Sequence, residues 1–200
     1  MKAKFNTRLL VTISLLVVIS YILAFIEISI PLVPSFMKLD VSDLPALLGT
    51  FALGPIPAVV IELLKNLLGV FSSSTVGVGE LANFIINGSF VYVAGVIYKN
   101  NKTKKNAIIA CAIATIVRGV VAVFANYYML FPIYQTFMPI DQLIQTFSEL
   151  VPFIKTKWDV MIFSVLPFNI VKGAVNCLIA IIVYKRVSPL LKQGAAITNK

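Results

Sequence analysis

The chain has no histidine and only two cysteines among 200 residues, and only 12% of it is charged. Without histidine a Ser-His-Asp triad cannot form, and two cysteines do not complete a tetrahedral zinc site. Cys111 and Cys177 lie inside apolar runs and read as small buried hydrophobes. No G-x-x-x-x-G-K-S/T phosphate loop occurs, so the chain does not supply its own ATP hydrolysis. "GVGELA" at 77–82 has the spacing of a dinucleotide loop, but no strand precedes it and no βαβ unit is available. No nucleophile–base pairing stands out, so an enzyme is not expected. The shortage of charge is equally informative. A soluble domain is about a quarter charged, whereas this chain is 59% hydrophobic with a mean hydropathy of +0.95. Its solvent is lipid. About 20 apolar residues cross a membrane, so the chain has room for about six helices in one membrane domain, 1–200.

The charge that is present is lopsided, with 17 basic residues, eight acidic ones and a net +9. Nucleic acid is not the expected partner, because no aromatic residues interleave the lysines as a stacking platform would. Lys2, Lys4 and Arg8 precede the first apolar run. Lys99, Lys102, Lys104 and Lys105 fall in "KNNKTKKN", and Lys185, Arg186, Lys192 and Lys200 lie in the tail. Acid-free basic segments of this kind are cytoplasmic. The N-terminal apolar stretch, about 9–30, is too long for a signal-peptide core and reads as a retained helix.

Apolar runs and breakers predict helices at about 9–30, 57–71, 80–98, 107–131 and 159–184, with a short second helix at 44–53 that is tilted or partly re-entrant. Pro31 and Pro34 end the first helix, and Pro132 ends the fifth. Leu143, Ile144, Phe147, Leu150 and Val151 recur at helical spacing in the 132–158 connection, which predicts an interfacial helix. Six crossings place both tails, 1–8 and 185–200, and the lysine loop on the cytoplasmic side. Loops 31–43, 72–79 and 132–158 are then external. The fold class is an all-α integral membrane bundle.

Polar residues inside such helices mark function or buried pairs. Glu80, Asn83 and Asn87 share one face of the fourth helix, and Asn169, Lys172, Gly173 and Asn176 share one face of the sixth. Asn126 and Tyr127 close the fifth helix, and Lys38 and Asp40 lie in the first external loop. These groups converge on the outer half of the membrane, as packing amides or as a ligand pocket open to the outside. Glu62, Lys65, Asn66 and Arg118 form a second group that reads as buried charges fixing helix packing, with Glu62 reaching Lys65 or Arg118.

Four segments in this order, "PSFMKLDVSDLPALLGTFALGP", "ELLKNLLGVF" followed by "GVGELANFI", "NYYMLFP" and "PFNIVKGAVN", are specific in combination. Over about residues 5–190 the chain resembles the substrate-binding (S) component of energy-coupling factor (ECF) vitamin transporters, most closely the riboflavin-specific member. The resemblance implies a six-helix protein that captures riboflavin from outside. It would hand the vitamin on together with a transmembrane coupling subunit and two ATPases. Riboflavin would be a transported ligand, with no cofactor required. The implied binding residues are Leu39, Asp40, Glu80, Asn83, Phe84, Asn126, Tyr127, Asn169 and Lys172. Amides such as Asn83 and Asn126 suit the pyrimidine edge or the ribityl hydroxyls. Phe36, Met37, Leu39, Phe84 and Tyr127 are candidates to cover the ring. Glu80 is the expected partner of Lys172, and Asp40 would bond a hydroxyl or hold the loop closed. Other vitamins (thiamine, pantothenate, biotin) and a self-sufficient proton-coupled carrier are the alternatives. One departure concerns docking: the first helix lacks the family's alanine-x-x-x-alanine pattern, and its Ser20/Ala24 pair lies near the external end.

Overall fold

The computed structural model of the chain describes residues 7–30, 33, 37–73, 77–137 and 139–195, the side chains of 137 and 185–195 excepted. Lys2, Lys4, Phe36, Val76 and Lys200 lie outside the described residues, as do the side chains of Lys185, Arg186 and Lys192. The elements run α1 (Thr7–Ala24), β1 (Ile28–Ser29), β2 (Lys38–Leu39), α2 (Leu44–Leu53), α3 (Pro55–Gly69), α4 (Val78–Asn100), α5 (Lys104–Ala125), α6 (Phe131–Phe137), α7 (Ile140–Ser148), α8 (Lys157–Val160) and α9 (Leu166–Ala195). Five stretches are long and apolar enough to cross a membrane: Thr7–Ala24, Pro55–Ser72, Val78–Asn100, Lys104–Thr136 and Lys157–Tyr184. Among the described residues the fold is all-α apart from one two-residue hairpin.

Packing is inside-out relative to a soluble bundle. Leu15, Ile22, Ile116, Leu178 and Ile182 are exposed, while Ala46, Ala58, Ala94, Ala110, Ala114 and Ala180 are fully buried. Lipid tails are as apolar as leucine, so helices associate through small residues that let backbones approach. Gly95 shows how closely: a Cβ there would lie 2.7 Å from Pro55 Cβ and 2.8 Å from Pro55 Cα.

The short helix α2 packs against α1, α3, α4 and α9, and residues 45–51 are all buried. Ten residues span only about 15 Å, half a bilayer. The chain enters α2 from β2 through Asp40 to Asp43, and Ser42 and Asp43 are already buried. Irregular backbone is tolerated at membrane depth only where protein encloses it, and an Asx turn, Ser42 N–H to Asp40 Oδ1 at 2.9 Å, shapes this stretch. Gly54, at φ 106°, then reverses the chain into α3.

Two expected boundaries differ. The first helix ends at Ala24 rather than near 30, because Ile28–Ser29 pair antiparallel with Lys38–Leu39. Alternating β-branched residues favour that strand, and Glu27 pairs with Lys38 across it at 2.5 Å. Pro132 does not end the fifth helix. Residues Asn126–Leu130 form a π-turn that leads into α6 without a break. A wider i→i+5 turn relieves the clash of a proline ring with the preceding carbonyls. A second π-turn, Met161–Val165, joins α8 to α9 and touches the first.

Candidate ligand cavity

A cavity of about 270 Å³ opens where α4, α5, α6, α7 and α9 meet, near the small end of the usual ligand range of ~300–1,000 Å³. Its polar wall comprises Lys38, Glu80, Asn83, Arg118, Asn126, Asn169 and Lys172. Its apolar wall includes Met37, Phe131, Tyr134, Leu143, Phe147 and Phe168. The helix expected at the interface, α7, buries Leu143 and Phe147 to 4% and 2% exposure. Those two side chains are part of the cavity wall, so this helix covers the site.

Each polar side chain is oriented by a second group. Asn126 Nδ2 donates to Ala122 O at 2.8 Å, and Asn169 Nδ2 donates to Val165 O at 2.9 Å. Each amide thus spends one N–H on the helix turn behind it and keeps its oxygen as an acceptor. Both lie at or beside a π-turn, which rotates the following residues relative to a regular helix. Asn83 accepts from Asn87 Nδ2 at 2.6 Å through Oδ1, leaving its –NH2 end for a ligand. Gly77, at φ 86°, turns the chain into α4 just before this face. Glu80 accepts from Ser73 Oγ at 2.6 Å.

The charges are matched in pairs. Lys172 Nζ lies 2.6 Å from Asp40 Oδ2, so Asp40, not Glu80, is its ion-pair partner. The stretch leading from β2 into α2 sets Asp40 against α9, whereas Glu80, in the first turn of α4, accepts from Ser73 Oγ. Arg118 Nη1 donates to Asp43 Oδ2 at 2.9 Å, while Lys65 bridges Asp43 Oδ1 and Glu62 Oε2, each at 2.7 Å. Glu62 therefore reaches Lys65 rather than Arg118. Asn87 Nδ2 also donates to Asp43 Oδ1, at 2.8 Å. Asp43, Glu62 and Lys65 are at most 3% exposed and Arg118 is 1% exposed. Arg118 Nε has no hydrogen-bond partner among the described residues, and the guanidinium lies 5.2 Å from the Phe90 ring centroid.

Of the residues singled out in the sequence for the site, Met37, Lys38, Glu80, Asn83, Asn126, Asn169 and Lys172 line the cavity. Asp40 lies just behind Lys172 and faces an adjoining cavity of about 390 Å³, also lined by Glu80, Asn83, Tyr21 and Lys65. Leu39 is half-buried in the hairpin, and Phe84 packs over Gly88. Tyr127 stacks on Trp158 at 4.4 Å beneath the Lys157 ammonium at 3.7 Å, so it is not among the lining residues. Asn87 is fully buried, in keeping with a packing role. Of the small pair of α1, Ser20 is fully buried in the bundle and Ala24 is half-buried and borders the second cavity.

Sequence reasoning missed two charged members. Asp43 was passed over as a loop residue, and Arg118 was assigned to packing although it lines the cavity. The signal for Arg118 was available: an arginine near mid-membrane needs both a partner and a purpose. Asp43 carried no such signal, because its depth depends on how far the loop descends.

Residues 8–184 match the family model described as "ECF transporter, substrate-specific component". The chain is 37% identical to the riboflavin transporter RibU of Staphylococcus aureus (strain TCH60) over 188 residues, covering 94% of both. It is 26% identical to the riboflavin transporter FmnP of Bacillus subtilis (strain 168) over 191 residues, covering 94% of this chain and 96% of that one. A solved structure, described as the S component of a bacterial ECF transporter, superposes with a TM-score of 0.72 at 36% identity. It covers 92% of this chain and 97% of its own.

Proposed function

From a chain that belongs to the ECF transporter substrate-specific component family, a multi-pass membrane transport component and not an enzyme, we propose that the cavity binds riboflavin. The observation that carries this reading is the pairing of charge around a donor-rich wall. Lys172, Arg118 and Lys65 each face a carboxylate of the chain itself. Lys38, the third cation lining the cavity, pairs with Glu27, so among the described residues no lining cation is left for a ligand carboxylate, which disfavours biotin and pantothenate. Arg118, Lys172 and the amides of Asn83, Asn126 and Asn169 all line the space, and each has an N–H beyond those spent on the contacts above. A neutral ligand with carbonyls and hydroxyls suits them, and a flavin's two pyrimidine carbonyls and ribityl chain supply both. Phe131, Phe147, Phe168 and Tyr134 suit its apolar ring.

The binding mechanism follows from the wall. Lys172 and Arg118 are held in place by Asp40 and Asp43, so little side-chain entropy is lost when they engage a ligand. Met37, Leu39 and Asp40 lie on the hairpin and its descent, and ordering that segment over the ligand would seal the cavity from above. Residues 1–200 act as one membrane domain with both tails cytoplasmic and the cavity external. Delivery inward then falls to a transmembrane coupling subunit and two ATPases, since the chain has no phosphate loop. Glu80 is the feature a cationic vitamin such as thiamine would use.

Quenching of riboflavin fluorescence on titration with folded protein tests the assignment, with thiamine, biotin and pantothenate as competitors. Absence of quenching at micromolar protein, or displacement by a vitamin that is not a flavin, would overturn it. Gradient-driven uptake by this chain alone in vesicles would favour the carrier alternative instead.

A further inference from the structure

The acidic residues are confined to one side of the molecule. No Asp or Glu occurs at 44–61, 81–140 or 160–200. The end where α4 stops and α5 starts, about 30 Å along α4 from Glu80 at the top of its polar face, therefore contains lysines and no carboxylate. Lys99, Lys102, Lys104 and Lys105 are all exposed there, with no ion pair among the described residues.

Two grooves meet beneath these lysines. One, of about 380 Å³, runs between α5 and α9 along Ala107, Ile181 and Ile182, with Lys102 and Lys104 at its mouth. The other, of about 290 Å³, runs along the α2–α3 turn past Leu53, Pro55 and Ile56, with Lys99 and Lys102 at its mouth. Phe51, Tyr98 and Lys102 border both. The partition between the grooves is a rigid aromatic cluster. Phe51 lies 4.8 Å from Tyr98 and 5.6 Å from Tyr184 edge-on, and the two tyrosine hydroxyls are 3.0 Å apart.

We infer that this end of the bundle binds one diacyl phospholipid with an anionic headgroup. Two apolar grooves diverging from one cationic point match a ligand with two hydrocarbon tails and one negative head. In this arrangement the headgroup phosphate sits among Lys99, Lys102 and Lys104, and one acyl chain enters each groove. A basic pocket between helices at a membrane surface is suited to an anionic headgroup. A neutral lipid could fill the grooves but would leave the lysines uncompensated. A peptide helix of a partner would find two narrow channels divided by Phe51 and Tyr98 rather than one continuous trough.

Native mass spectrometry of the full-length protein in detergent, titrated separately with phosphatidylglycerol and phosphatidylcholine, tests the site. Phosphatidylglycerol should give the tighter one-to-one adduct. At about 1 kcal/mol per lysine near a membrane surface, Lys102→Ala should weaken that adduct about fivefold, and Lys102→Ala/Lys104→Ala about 30-fold. Lys155→Ala, an exposed lysine at the opposite end, should change it by less than twofold. All three variants should keep full riboflavin quenching, which certifies their folding independently of lipid. Equal adducts with the two lipids would overturn the inference. So would a double variant that binds phosphatidylglycerol like the parent, including the case in which it loses only its hold on a coupling subunit.

Discussion

Replacing Asp43 by asparagine preserves shape and removes one charge from the most enclosed cluster in the molecule. Asp43 Oδ1 accepts from Lys65 at 2.7 Å and Asn87 at 2.8 Å, and Oδ2 accepts from Arg118 at 2.9 Å. A carboxamide has one oxygen and one –NH2. Whichever way it sits, its –NH2 faces a donor, either the guanidinium or the Lys65–Asn87 pair. At least one charge-assisted bond is lost, worth about 1.5–3 kcal/mol. Glu62, Lys65 and Arg118 are then left with one excess positive charge on side chains at most 3% exposed. Removing one partner of a buried ion pair costs about 3–5 kcal/mol in all, or about 10 °C in unfolding midpoint for a chain of this size. Adding Arg118→Met to Asp43→Asn restores neutrality. The double variant should therefore be about 2 kcal/mol more stable than the sum of the single effects predicts. Unfolding of detergent-purified protein, followed by circular dichroism, gives all four corners of this cycle. An Asp43→Asn variant within about 1 kcal/mol of the parent, or a strictly additive double variant, would refute the view that Asp43 neutralises the cluster.

Three further outcomes are expected. Lys172→Ala should weaken riboflavin binding about 10-fold or more by fluorescence titration, from the loss of a charged donor worth about 1.5–3 kcal/mol; an unchanged dissociation constant would remove Lys172 from the site. Asn83→Ala should lower affinity with the smaller loss of stability, because Asn83 borders the cavity, where solvent can replace its Oδ1 as the acceptor for Asn87. Asn87→Ala should do the reverse, destabilising by about 1–3 kcal/mol because it takes a donor from buried Asp43, and identical phenotypes would contradict the division of roles. Gly95→Ala should destabilise by about 1–3 kcal/mol through its clash with the Pro55 backbone, and riboflavin affinity measured below the unfolding midpoint should be unaffected.

How much of this was legible beforehand depended on whether one helix carried the signal. The faces of α4 and α9 were readable, because Glu80, Asn83 and Asn87 and then Asn169, Lys172 and Asn176 each repeat at helical spacing within one apolar run. Their convergence with Asn126 followed from counting crossings. What could not be read was any relation set by irregular backbone. The hairpin of β1 with β2, the depth of Asp43 and the Asp40–Lys172 pair all depend on a descent that has no periodicity. The continuation past Pro132 was missed because proline normally stops a helix, and the relieving π-turn leaves no mark in composition. The covering role of α7 was missed for another reason. Amphipathic spacing reveals that a helix has an apolar face, but not whether lipid or protein receives it.

The paired π-turns have a consequence for how such a cavity can be altered. A π-turn holds one residue more than the helix around it requires, so the chain can lose a residue there without losing the helix. The turn absorbs the rotation of that extra residue, about 100°, so deleting one residue from 126–130 would restore regular winding and leave the two flanks facing as before. Winding the same residues regularly, by contrast, would swing Phe131 about 100° away from the space it shares with Asn126. The same holds for 161–165 with respect to Asn169 and Lys172. The wall of this cavity thus depends on the winding of two helices as well as on the identity of its lining residues.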